Sequence, residues 1–209
     1  MDAEAGSSYA RAMLLSFAIA FATPAFELVP RDTTHRTMSA TVSTGGKEVT
    51  TAAFTAAVLD CDNYPLTAKY MGVQALVECR TLEKLADGSA IIYQRTGGNS
   101  LVSGRQWVVQ VRVKEQSDTV AKVSWDLVKH ELTSGKVTGG PWAKEAQAHP
   151  EAVWTPYNNG TWKLDTAAQT VTYVVSSDPG GSLPGFMTTQ GAVMAFPLEL
   201  LRVRWGVEP

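Results

Sequence analysis

Histidine and cysteine are scarce in this sequence, with three and two copies among 209 residues. His35, His130 and His149 are scattered, and Cys61 and Cys79 form no Cys-x-x-Cys unit. A zinc site of ordinary spacing is therefore excluded. Cations are few as well: 18 Lys and Arg against 20 Asp and Glu leave a net charge of −2. Without a dense basic stripe, neither nucleic acid nor an anionic membrane is a general partner. Gly45-Gly46-Lys47-Glu48 is no phosphate loop, because the earlier Gly is missing and Glu48 replaces the metal-binding Ser or Thr. A Gly-x-Ser-x-Gly elbow is also absent. No carboxylate pair falls on the inward face of an expected strand, and an enzyme needs a convergent polar constellation. The sequence thus points away from catalysis and suggests no cofactor.

What remains is an ordinary globular composition, 44% apolar and 18% charged, in a chain long enough to bury one core. Two cysteines cannot make a disulfide scaffold. In an exported protein they could pair with each other, and two buried thiols is the plainer reading. Ala12 to Ala22 (AMLLSFAIAFA) is a run of small and apolar residues, too short to span a bilayer and suited to a signal-peptide core. Ala20-Phe21-Ala22 fits the small-x-small cleavage pattern, although Asp2 and Glu4 outnumber the one upstream cation, Arg11. The expectation is a cleaved signal over residues 1–25, a domain over 26–209, and a periplasmic or secreted destination. A buried first helix is the alternative.

Periodicity then divides the domain. Arg36 to Thr44 alternates and is rich in β-branched residues, which predicts a first strand ended by Gly45-Gly46. Thr50 to Leu59 sets Phe54, Ala57 and Val58 at helical spacing, with Thr50 or Thr51 as cap. Strands follow at Gly72 to Leu82, Ser89 to Arg95, Gln106 to Lys114 and Val120 to His130, an antiparallel meander. Leu132 to Pro156 is rich in Gly and Pro and reads as a long loop, or a loop with one helical turn. Strands resume at Val153 to Tyr157 and Gly160 to Leu164, joined by a turn at Asn158-Asn159-Gly160, and end with Thr170 to Ser176. Asn159-Gly160-Thr161 also fits a glycosylation sequon.

After Asp178-Pro179-Gly180-Gly181, a helix is expected from Leu183-Pro184 to near Gly206. It is apolar around most of its girth, so it must be surrounded. Pro197 inside it should remove one hydrogen bond and bend the rod. One curved antiparallel sheet against such a helix leaves an apolar chamber, the usual form of a small-molecule site. A solid core is the plain alternative.

Thr172 to Pro184 (TYVVSSDPGGSLP), preceded by Gly160-Thr161-Trp162-Lys163-Leu164 and followed by Phe186 to Arg204, resembles the end of a START domain. This is the steroidogenic acute regulatory protein-related lipid transfer family. Ser103 to Val108 resembles the family's Arg-Asp-aromatic strand entry, with Gln106 where Asp is common. The likeness spans roughly Thr34 to Val207 and is most distinctive in the last forty residues. It implies an α+β helix-grip fold, a curved antiparallel sheet wrapped around a long C-terminal helix. It also implies a monomer that holds one sterol, other polycyclic lipid or acyl lipid, with transient membrane contact. A cyclase or hydrolase on the same scaffold is the alternative.

Mapping the family's inward face puts Arg105, Trp107, Val109 and Val111 toward the cavity. Trp125 and Tyr173 follow by alternation as rim or wall aromatics. Phe186, Gln190, Val193, Met194 and Pro197 are the expected contacts on the helix. Some START domains anchor a hydroxyl with a buried charged pair. The matching cation here falls at Val111, with Arg112 out of phase, and Gln190 or Tyr173 could replace it. Plainer roles also exist. Trp107 and Trp125 could be core, Arg105 could close a strand-end ion pair, and Arg202 and Arg204 suit a helix C-terminus. Pro141-Trp142 could be a membrane-touching tip or a Trp tucked under its loop.

Overall fold

The computed structural model describes residues 25–64, 69–70, 73–74, 76–98, 102–181 and 190–208. The expected signal segment lies outside them. The principal sheet runs in the order β1 (Thr37–Ser43), β12 (Thr170–Asp178), β11 (Tyr157–Asp165), β7 (Val120–Leu127), β6 (Arg105–Gln116), β5 (Ala90–Arg95), β4 (Glu78–Lys84). Neighbours on this path are antiparallel. A short β10 (Val153–Trp154) adds to β6 in parallel. Two hairpins stand apart, β2 (Lys69–Tyr70) with β3 (Val73–Gln74) and β8 (Glu131–Thr133) with β9 (Lys136–Gly139).

Helix α1 (Thr51–Leu59) starts where the sequence places its cap: the Thr50 side chain accepts a hydrogen bond from the Ala53 N–H at 3.2 Å. Phe54, Ala57 and Val58 are buried, as their spacing requires. Packed against β6, β7 and β11, α1 lies over the middle of the sheet. Helix α3 (Gln190–Trp205) runs through Pro197 and packs mainly on β1 and β12. The C-terminal helix is therefore less enclosed than its composition suggests. Val193, Pro197, Leu200 and Leu201 are buried, whereas Met194, Phe196 and Leu198 are half-buried and Val203 is exposed. With α1 over the middle, α3 closes one side of the trough and turns its outer face to water. The expected helix start at Leu183-Pro184 lies outside the described residues.

Three other expectations are corrected. Asn158-Asn159-Gly160 is not a turn but part of β11, in register with Ser177, Ser176 and Val175 of β12. The sequon is closed for the same reason: Asn159 is buried, and its Oδ1 accepts the Leu127 N–H at 3.0 Å. Gly72 to Leu82 is not one strand, since β3 ends at Gln74 and β4 begins at Glu78. Residues 132–156 are not one loop; they hold β8, β9, the short helix α2 (Ala143–Gln147) and β10.

That excursion covers the convex face of the sheet, together with residues 26–35. Leu28 bridges to Val128, and the Val29 N–H donates to the Leu127 carbonyl at 2.8 Å. Trp142 is tucked, its ring edge-on to Phe26 with centroids 5.4 Å apart. Beneath the cover, Gln106 is only 3% exposed. Its Nε2 faces the carbonyls of Ala146, His149 and Ala152 at 3.1–3.2 Å, and its Oε1 accepts from Tyr93. An Asp here would aim an acceptor at three acceptors, which gives Gln106 its physical reason.

Cys61 and Cys79 form a disulfide, with Cα atoms 5.3 Å apart. The reading of two free thiols is thus overturned. The bond ties the 3-10 turn after α1 (Cys61–Asn63) to β4. For a span of 18 residues, loop entropy alone makes it worth about 3 kcal/mol.

Candidate functional site

Strand register decides which side chains share the concave face. Ile92 pairs with Val109, Gln94 with Trp107, and Val111 with Trp125. Trp162 pairs with Val123 and Tyr173. These residues, Val123 excepted, and their neighbours surround a cavity of about 50 Å³. Its wall comprises Val58, Cys61 and Tyr64 beside α1, strand residues from β4 to β12, and Phe196 of α3.

Three tryptophans, two tyrosines and one phenylalanine are six of the cavity's fourteen lining residues. Tyr173 is the hub: its ring lies 5.3 Å from Trp125, 4.5 Å from Trp162 and 5.8 Å from Phe196, centroid to centroid. Gly160 makes room for this cluster. A Cβ there would collide with Cζ2 and Cη2 of Trp125 and with the Val174 carbonyl. Both indole N–H groups beside the strand amides of the wall are paired. Trp107 Nε1 donates to Gln94 Oε1 at 2.8 Å, and Trp125 Nε1 donates to Asn158 Oδ1 at 3.0 Å. Burial raises the phenol pKa values of Tyr64 and Tyr173, so both stay protonated.

The structure brings Trp107, Val109, Val111, Trp125 and Tyr173 together in this wall. Arg105 is elsewhere. It begins β6, and its guanidinium donates to the carbonyls of Ser103, Pro179 and Gly180. Burial lowers its pKa, and its partners are loop carbonyls, not an anion. On α3 the contact is Phe196, while Val193, Met194 and Pro197 do not border this cavity. Val193 and Pro197 belong instead to the buried stripe of the helix, which packs on β1 and β12. Phe186 lies outside the described residues, and of Gln190 the backbone alone is described. Arg112 faces the convex side and pairs with Asp126, so it offers the cavity no charge. Arg204 does more than suit a helix end: its Nη2 donates to Asp60 and to the Asn63 carbonyl, at 3.0 and 2.7 Å.

Sequence reasoning missed Val58, Cys61, Tyr64, Cys79, Ile92, Gln94, Asn158, Trp162 and Phe196 in this wall. Trp162 could have been found, since it alternates in phase with Leu164 on a strand of half-buried pattern.

No family model matches the sequence, and no curated protein does either. Solved structures do match. Human STARD10 aligns over 88% of this chain and 74% of its own, at 12% identity and a TM-score of 0.57. A STAR-related lipid transfer protein fragment from Xanthomonas axonopodis aligns over 86% and 98%, at 14% identity and 0.55. The lipid transfer and protein localization domain of human StarD13 aligns over 86% and 82%, at 16% identity and 0.54. The fold is that of a START domain. At these identities the likeness establishes the α+β helix-grip architecture.

Proposed function

We propose that this START-fold chain binds a single lipid between its concave sheet face and helices α1 and α3, and carries it between membranes. The observation that carries this reading is the aromatic-lined cavity at the centre of the concave face. The lipid-transfer names of proteins sharing the fold support it. About 50 Å³ is far below the several hundred Å³ of ordinary ligand sites, so a lipid enters only if the cavity expands. Phe196 on the half-buried helix and the stacked ring of Tyr173 are the parts placed to yield. Each 100 Å² of apolar ligand surface removed from water returns about 2.5 kcal/mol toward that expansion.

A cyclase or hydrolase on the same scaffold requires a general acid or base at the cavity. The titratable phenols of the described wall are held protonated by burial, which favours carriage. An exported, monomeric carrier touching membranes transiently completes the proposal. The disulfide supports export, because such bonds persist in oxidising compartments.

Native mass spectrometry after gentle purification, followed by vesicle-to-vesicle transfer of a labelled lipid, tests the carrier reading. One lipid per chain and accelerated transfer are expected. No uptake of sterols or acyl lipids, with no transfer, would sink it.

A further inference from the structure

We infer that the cavity selects an uncharged lipid bearing one hydroxyl or carbonyl, and that Tyr64 supplies the hydrogen bond that anchors it. This inference rests on the carrier reading and narrows it to a ligand class.

The argument starts from which wall groups are already engaged. Trp107 and Trp125 give their indole hydrogens to Gln94 and Asn158. Gln94 turns its Nε2 toward the Cys79 sulfur at 3.3 Å. Tyr64 differs: its side chain is about nine-tenths buried, it lines the cavity, and its hydroxyl has no hydrogen-bond partner. Buried hydroxyls are rarely left unmated, and one that borders a void is placed to pair with what fills the void.

The backbone under Tyr64 is held on three sides. Cys61, three residues earlier, is bonded to Cys79 of β4. The Tyr64 N–H donates to the Cys61 carbonyl at 3.0 Å. From α3, Arg204 grips Asp60 and the Asn63 carbonyl. An anchor pinned this way keeps its place while softer parts of the wall move.

Charge sets the ligand class. Among the described wall residues none is charged. The charged groups that act on Tyr64 are Glu199 and Arg204; Arg204 is bound to Asp60, and Glu199 is paired with Arg202. A sulfate, phosphate or carboxylate in the cavity would lose its hydration without gaining a counter-charge. A neutral phenol next to a ligand hydroxyl or carbonyl loses nothing comparable, because it can donate to either.

The test measures occupancy by native mass spectrometry at pH 8 with two probe sets. One comprises cholesterol, cholesterol sulfate and cholestane; the other comprises oleyl alcohol, oleyl sulfate and octadecene. In at least one set the wild-type chain should prefer the alcohol over the sulfate by tenfold or more. Tyr64→Phe should weaken the alcohol about tenfold and leave the hydrocarbon unchanged. Sulfates that bind as well as alcohols overturn the inference and leave the carrier reading standing. So does a Tyr64→Phe variant that loses alcohol and hydrocarbon alike. If no probe binds at all, both fall together. The alcohol-to-sulfate comparison uses wild-type protein, so the question is decided even if the variant fails to fold.

Discussion

The concave and convex faces of the sheet are both buried at its centre, but they are buried by different chemistry. On the concave face, Trp125, Trp162 and Tyr173 meet one another, Phe54 and Phe196 through ring contacts, and Trp107 lines the void among them. On the convex face Ile91, Tyr93 and Val108 are buried together with a row of polar residues, Gln106, Gln110, Ser124, Asp126 and Asn159, under a cover of loop and short helix. Gln106 has four partners, Gln110 donates to Ser89 at 2.9 Å, and Asp126 is clasped by Arg31 and Arg112. Asn159 Nδ2 and Ser124 Oγ are left without partners. Hydrogen bonds are directional and break when their geometry shifts, whereas apolar contacts re-form in many arrangements. The comparison teaches that one face is the fixed wall and the other is where space can be made. A ligand would therefore enter by displacing helix and rings, not strands.

The largest expected effect is on the concave side. Gly160→Ala drives a methyl into the Trp125 ring and the Val174 carbonyl, and the backbone oxygen cannot retreat. A loss of about 3 kcal/mol in urea unfolding is expected, together with altered lipid occupancy as Trp125 is pushed from its place. If the variant kept wild-type stability and binding, the tight fit at Gly160 would be no part of the site.

The second break is made from the other face. Gln106→Glu keeps the size of the side chain but replaces its donor with an acceptor, facing three carbonyls. A loss of about 2 kcal/mol is expected, with faster amide exchange in residues 143–154 and no change in ligand affinity. If binding fell as much as stability, the two faces would not be separable and the division drawn above would fail.

The same contrast explains what could be read from the sequence. Trp107, Val109 and Val111 share one face of a long strand whose phase is set locally, and the START resemblance turned that face toward the cavity. Asn158-Asn159-Gly160 misled because its residues favour turns, while the reason for Gly160 sits one strand away in the Trp125 ring. Arg105 has the phase of Trp107, but its long side chain reaches back to the Pro179 and Gly180 carbonyls. That Phe196 is the cavity contact of α3 was hidden for a related cause. A helix apolar on several sides does not say which side meets the sheet, and β1 and β12 decide it. Pairing of Cys61 with Cys79 depends on the turn after α1 meeting β4, a contact without local signature.

The smallest effect comes from His130, which belongs to the convex cover. Its ring tilts against Trp154 with centroids 4.5 Å apart, and Nδ1 lies 3.0 Å from the Val128 carbonyl. Burial lowers its pKa, outweighing the carbonyls of Val128 and Pro141, which pull the other way. Folded protein therefore binds fewer protons at this site than the unfolded chain, whose imidazole titrates near pH 6.5. The stability linked to His130 is present above pH 6.5 and is lost as pH falls below it, down to the lowered folded value. Unfolding of the wild type between pH 7.5 and 5.5 should steepen relative to His130→Gln, which carries no such proton. The difference between the two curves isolates His130 from His35 and His149, which are the same in both proteins. Because the charge would form under the convex cover, lipid affinity should stay level across the same range. An affinity that tracked the stability loss would mean that the cover and the cavity move as one body, against the separation of faces argued above.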